Sequence, residues 1–302
     1  MSADMPHVEG VTHNWTEVNG FRMHYAEAGP ADAEPIVMLH GWPQHWYEWR
    51  HQIPRLAGTN RVICPDLRGL GWSEAPASGY DKSQLADDVL MLLATLGIPR
   101  FKLVGHDWGG WVGFLMCLKA PQRIDKYVAL NIVHPFQKPD VNFLTYLPRT
   151  WYQWVIEVPG GDAILRNTNF VEWAMRLGFA DKSAISDADI DVFASRVKTR
   201  DGARASQQYY RTFTLKEMPQ QIRQRPFDRE RLKVPTRLVF GTKDIFIPTS
   251  LLRGYEDHAD DMLVEYVPDA GHFIADEKPD LVTDRIESFF GLRKPTQVES
   301  AT

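Results

Sequence analysis

The chain has 302 residues, 44% of them apolar and 24% charged, which is enough apolar mass for a large core and argues against intrinsic disorder. Its 34 basic and 39 acidic side chains leave a net charge of −5, with no basic excess to neutralise a phosphate backbone, so nucleic acid is not expected as a partner. The most apolar helix-like stretch (89–98) is far short of a membrane span, the first residues carry no basic-then-apolar secretory pattern, and Cys64 and Cys117 match no metal spacing; a cytoplasmic globular protein with no metal, no other cofactor and no membrane partner is expected.

In chain order, residues 11–18 and 21–28 straddle Asn19-Gly20, a dipeptide that favours a tight hairpin. Residues 35–39 and 61–65 are short apolar runs bounded by turn signals. Residues 82–96 carry Leu85, Val89, Leu92, Leu93 and Leu96 on one helical face. A strand over 101–104, a helix over 109–119 and a strand over 126–133 follow. Such alternation predicts parallel βαβ units with helices on both faces of the sheet. From 134 to 231 the pattern reads as helices and loops. Alternation then resumes with a strand at 236–240, a helix from about 249, a strand at 262–267 and a helix over 279–290. The expected organisation is one α/β core (1–133 and 232–292), split by a helical cap (134–231) after the sixth strand, with a polar tail (293–302).

The strongest chemical signal is Gly105-His106-Asp107-Trp108-Gly109, set between a strand and a helix. Small flanking residues suit a sharp turn that pushes the central side chain out, and a helix N-terminus helps keep a carboxylate ionised. His40-Gly41-Trp42-Pro43 closes an earlier strand and presents a backbone N–H at Trp42; with the N–H of Trp108 it would form a two-donor oxyanion hole. Asp66 to Ser73, with Gly69 and Gly71, reads as a structural loop. Gly241-Thr242-Lys243-Asp244 and Asp269-Ala270-Gly271-His272-Phe273 close the last two strands. His272 is the expected general base and Asp244 its orienting acid. The slot at the end of the 126–133 strand holds Asn131, which supplies no charge, and Asp269 is too close in sequence to meet the ring in its plane.

The order Asp107, Asp244, His272 is that of nucleophile, acid and histidine in α/β-hydrolases, and the chain resembles the α/β-hydrolase-fold epoxide hydrolases, a family related to haloalkane dehalogenases. The resemblance runs from about Trp15 to Phe290. It implies two cap tyrosines that grip the epoxide oxygen, and Trp151-Tyr152 and Tyr209-Tyr210-Arg211 look like their motifs. Tyr152 and Tyr210 are the expected pair, with Tyr209 as the fallback, because neighbouring helix positions point about 100° apart. The implied reaction is attack of Asp107 on the epoxide, followed by hydrolysis of the ester to a vicinal diol. Trp108, Trp151, Trp154, Phe136 and Phe179 are the expected pocket walls, suited to a small apolar or aryl-substituted epoxide. A haloalkane dehalogenase would use the same carboxylate, base and acid, with Trp108 donating to halide. A non-catalytic binding protein of the fold would need neither base nor orienter.

Overall fold

The computed structural model describes residues 4–137 and 147–292. Eight strands form its sheet: β1 (Val11–Val18), β2 (Phe21–Ala28), β3 (Pro35–Leu39), β4 (Arg61–Pro65), β5 (Phe101–His106), β6 (Ile124–Leu130), β7 (Thr236–Gly241) and β8 (Met262–Val267). Their spatial order is β1-β2-β4-β3-β5-β6-β7-β8. β1 and β2 pair antiparallel in the register Val18↔Phe21, closed by Asn19 and Gly20, which both take positive φ. β2 pairs antiparallel with β4, and every later pair is parallel.

The central strands are buried on both faces, so their side chains alternate between two apolar layers. Val37 and Leu39 of β3, with Leu103 of β5, enter one layer, and Ile36, Met38 and Val104 enter the other. Helix α1 (Lys82–Thr95) begins at Asp81, whose carboxylate accepts the Gln84 N–H, and buries Leu85, Ala86, Val89, Leu92 and Leu93 in the first layer. Helix α2 (Asp107–Lys119) is buried over most of its length.

Between β6 and β7 the described chain is helical: α3 (Trp151–Glu157), α4 (Gly161–Asn167), α5 (Phe170–Gly178), α6 (Asp187–Val197), α7 (Arg200–Thr212), a π-helical turn (Phe213–Glu217) and α8 (Met218–Gln224). Side-chain hydrogen bonds join this insertion to the loops after the strands. The Trp42 indole donates to Ser206 Oγ at 2.9 Å, the Tyr209 hydroxyl to Arg68 O at 3.0 Å, and Arg196 Nε to Gly71 O at 2.9 Å. Helix α9 (Pro279–Phe290) closes the other layer with Val282, Ile286 and Phe290, beside Trp46, Trp49 and Ile53. Among the described residues no helix is long and apolar enough to cross a membrane.

Four boundaries depart from the sequence reading by more than one residue. β5 runs to His106 rather than ending at 104, because it stays paired with β6 through His106↔Leu130. α2 starts at Asp107 rather than 109, because the turn and the first helical residue coincide. β6 runs over Ile124–Leu130 rather than 126–133, because Asn131 at φ 38° swings the chain out of the sheet. The helix expected from 249 is a single 3-10 turn, Thr249–Leu252, bounded by Pro248 and by Gly254 at φ 88°.

Helix α2 crosses β3 with backbone against backbone at Gly109. A Cβ on Gly109 would fall 2.3 Å from Leu39 O and 2.5 Å from His40 O, both rigid backbone. Gly109→Ala is expected to cost about 3 kcal/mol of stability, the upper end of overpacking costs, as read from urea unfolding.

Candidate active site

Asp107, Trp42, Asp244 and His272 all stand beyond the ends of strands, and Tyr152 and Tyr210 reach them from α3 and α7. Asp107 follows β5 with φ 47°, a left-handed conformation that a non-glycine residue adopts only where its surroundings impose it. Its side chain is thereby lifted beyond the sheet edge at the start of α2, where unpaired backbone N–H groups favour an anion. The turn after β3 reaches over it, and the Trp42 N–H donates to Asp107 Oδ2 at 2.9 Å. This approach needs a bare backbone: a Cβ on Gly41 would sit 2.5 Å from Asp107 Cβ.

His272, beyond β8, directs Nδ1 to Asp244 Oδ2 at 2.8 Å and Nε2 toward Asp107 Oδ1 at 3.8 Å. Nδ1 meets a carboxylate and so carries the proton, leaving Nε2 basic. Asp244, beyond β7, is buried, and its carboxylate is fully engaged. Oδ1 accepts the Phe246 and Ile247 N–H groups at 2.8 and 3.0 Å, and Oδ2 accepts the Asn131 amide at 2.8 Å beside His272. Burial alone would push this carboxyl up, but attraction to His272 in its protonated form and these hydrogen bonds outweigh it and hold it below its ordinary value. Asp269 is not part of the arrangement; it occupies the turn after β8 at φ 54°.

Two contributors escaped the sequence reading. Asn131 supplies no charge, yet its amide also donates to Gly271 O at 3.1 Å and accepts the Gly241 N–H, tying together the two loops that carry Asp244 and His272. Glu48, in the 3-10 turn Trp46–His51, is fully buried. It accepts the Gly41 N–H at 3.0 Å and meets His106 Nδ1 at 2.9 Å, while His106 Nε2 faces His272 O at 2.9 Å. A carboxylate and a carbonyl thus face the two ring nitrogens of His106, which favours the protonated imidazole. Burial pushes this imidazole down, but the Glu48 charge outweighs it and raises the group to about 9. An imidazolium–carboxylate pair thus lies beneath Asp107 and joins the β3 turn, the elbow and the His272 loop. Only its position next to Asp107 marked His106 in the sequence, and nothing marked Glu48.

Two cavities meet at this point. One, of about 110 Å³, runs from Asp107 and His272 past Trp108, Trp111, Phe213 and Phe227 to Gln221 and Ile222. The other, of about 10 Å³, is bounded by Trp42, Asp107, Tyr152, Tyr210, Phe246 and His272. Tyr152 lines both. The Tyr152 and Tyr210 rings meet edge to face at 5.9 Å, and Tyr210 also packs edge-on against Trp42 and Trp108. Tyr209 points elsewhere, its hydroxyl on Arg68 O.

Of the five expected pocket walls, Trp108 alone lines either of these two cavities. Trp151 and Trp154 are 43% and 63% exposed. The cause is helical geometry: with Tyr152 turned inward, Trp154 two positions on is rotated by about 200° and faces solvent. Phe136 stacks on His258 and Phe179 on Phe273, both in the core. Among the described residues no group of three or more His, Cys, Asp or Glu side chains could hold a metal ion.

A family model described as the alpha/beta hydrolase fold matches residues 34–279. The soluble epoxide hydrolase of Corynebacterium sp. (strain C12) is 31% identical, over 93% of this chain and 97% of that protein. Among solved structures, wild-type Cfl2 of Burkholderia cenocepacia superposes with a TM-score of 0.83 at 29% identity, covering 95% of this chain and 98% of that one. An epoxide hydrolase of Vigna radiata superposes with a TM-score of 0.79 at 28% identity, covering 94% and 99%.

The buried pair sets a pH dependence of stability. His106 stands at about 9 in the folded protein, above its ordinary 6.5, so its contribution is complete below about pH 6.5 and is lost as the pH rises through 9. Glu48→Gln is expected to cost about 3 kcal/mol at pH 6, as for other broken buried pairs, with the deficit shrinking by pH 9.5. Urea unfolding of both proteins at the two pH values reads this directly.

Proposed function

The chain belongs to the alpha/beta hydrolase fold family and is a hydrolase, and from that premise we propose that it opens epoxides to vicinal diols through a covalent ester on Asp107. The observation that carries this reading is the convergence on one small cavity of a carboxylate at the elbow, a His–Asp pair beside it and the tyrosines Tyr152 and Tyr210. A serine at the elbow would suit carbonyl substrates, whereas a carboxylate attacks saturated carbon.

In the first step Asp107 Oδ1 bonds to an epoxide carbon and that carbon's bond to oxygen breaks. The Tyr152 and Tyr210 hydroxyls hydrogen-bond the leaving oxygen, and one of them gives it a proton. A phenol near pKa ~10 is neutral at pH 7, so it donates without placing a charge in an apolar site. In the second step His272 Nε2 takes a proton from water, and the hydroxide formed attacks Asp107 Cγ. The 3.8 Å between His272 and Asp107 is too long for a hydrogen bond and suits a water held between base and ester. Negative charge gathers on Oδ2, where Trp42, and in this reading Trp108, supply backbone N–H groups. The Cγ–Oδ1 bond then breaks, the diol leaves with a proton from His272, and Asp107 keeps one oxygen from water; the proton left on its new carboxyl returns to the tyrosinate, restoring the carboxylate and both phenols. Asp244 stabilises the imidazolium between these transfers.

The helical insertion, with residues 134–231, acts in this reading as a cap domain over the core. The aromatic cavity of Trp108, Trp111, Phe213 and Phe227 suits an apolar or aryl substituent. A cytoplasmic location accords with two buried cysteines that form no disulfide. A dehalogenase reading is favoured by one feature, the buried Trp108 indole N–H, which has no acceptor among the described residues and would suit a departing halide.

Multiple turnovers of styrene oxide in ¹⁸O-water should leave label in the Asp107 carboxylate, and His272→Gln should accumulate an adduct seen by intact-mass spectrometry. Label entering the diol in the first turnover, with no adduct, would overturn the covalent scheme. Tyr152→Phe and Tyr210→Phe are each expected to slow ester formation by about 10²-fold, the low end for loss of a general acid, in stopped-flow single turnovers. An equal effect of Tyr209→Phe would argue against the assigned pair. Halide release from 1-haloalkanes at a rate matching diol formation would favour the dehalogenase reading.

A further inference from the structure

Lys82 is the most deeply buried lysine or arginine among the described residues, with no exposed surface. It occupies the first turn of α1, where the positive end of the helix dipole disfavours a cation. Burial pushes its ammonium down, countered chiefly by Glu217. An apolar side chain of similar length would fill this space at lower cost, so the charge calls for an explanation from its contacts.

Those contacts converge on the candidate site. Lys82 Nζ donates to Tyr209 O and lies 3.1 Å from Glu217 Oε2, while the Lys82 backbone N–H donates to Glu217 Oε1 at 2.6 Å. Tyr209 O belongs to the peptide unit from which Tyr210 springs, in the last turn of α7. Glu217 ends the π-helical turn that follows, a geometry in which the regular backbone ladder is interrupted. The ammonium also stands 4.5 Å from the centroid of the Trp108 ring, whose edge meets Tyr210 and Phe213. One cation therefore touches the residue after Asp107, the peptide that carries Tyr210 and the turn that ends its helix.

We propose that Lys82 is a positioning residue, a buried cationic staple between α1 and α7 that sets the Tyr210 hydroxyl against Asp107. The proposal rests on the epoxide reading for the step it assists. It predicts a selective effect: Lys82 governs the geometry of ring opening, while hydrolysis of the ester depends on His272 and Asp244, which it does not touch, and on the backbone N–H of Trp108, whose ring alone it meets.

In full-length protein, Lys82→Met is expected to slow ester formation about 30-fold in single turnovers of styrene oxide, since a displacement of about 1 Å costs up to 10²-fold, and to leave ester hydrolysis within about threefold. In a Tyr210→Phe background the same change is expected to add nothing, because the group it positions is gone. Glu217→Gln, a smaller perturbation should Lys82→Met not fold, is expected to show the same step selectivity. Independently of activity, in protein labelled with 3-fluorotyrosine the ¹⁹F resonance lost in Tyr210→Phe should shift in Lys82→Met or Glu217→Gln, while that of Tyr25 stays. Equal slowing of both steps, additivity with Tyr210→Phe, or an unmoved Tyr210 resonance would overturn the proposal. Wild-type protein that forms no diol would overturn the epoxide reading alone, and the ¹⁹F shift would still decide the role of Lys82.

Discussion

Asp107 is held in a left-handed backbone conformation between a strand and a helix, and the rest of the site is arranged around that turn. A non-glycine residue there costs about 1–3 kcal/mol, which the neighbouring structure must offset. The offset comes from close approach: the β3 turn lies on Asp107 across Gly41 and binds its carboxylate through the Trp42 N–H, and α2 crosses β3 at Gly109. The same turn that strains the backbone lifts the carboxylate clear of the sheet, where groups from β7, β8 and the insertion reach it.

Around this carboxylate the protein sets charges in pairs, all buried except the partly exposed Glu217. Asp244 is matched to His272, Glu48 to His106 and Glu217 to Lys82, each within about hydrogen-bond reach. Such pairs are a poor source of stability, because desolvation consumes most of their attraction. Their common feature is that each joins segments distant in sequence at the edge of the site. Asn131 does the same without a charge, binding the Asp244 and His272 loops through one amide.

Helix α7 is one of the elements that hold the insertion to the core. Ser206 and Tyr209 both meet core loops, and the Gln207 amide donates to Ile156 O and Val158 O at the end of α3. Tyr152 on α3 and Tyr210 on α7 are thereby fixed relative to each other as well as to Asp107. The outward face of α3, with Trp151 and Trp154, is the geometric counterpart of turning Tyr152 inward.

What the sequence determined by itself is local or strictly periodic. The Asn-Gly hairpin, the bounds of β1 to β4, the apolar face of α1 and the Gly-x-Asp-x-Gly elbow depend on neighbouring residues, and so does the order of Asp107, Asp244 and His272 along a known strand plan. What only the tertiary structure decided is which side chains share space across long stretches of chain. Four of the five expected pocket walls face solvent or core, because side-chain direction depends on which face of a helix is buried. Glu48, Asn131 and Lys82 carry no local signature either. A charge pair is formed by two residues that only folding brings together, here His106 with Glu48 and Lys82 with Glu217, and neither half is distinguishable from a surface charge until its partner is in place.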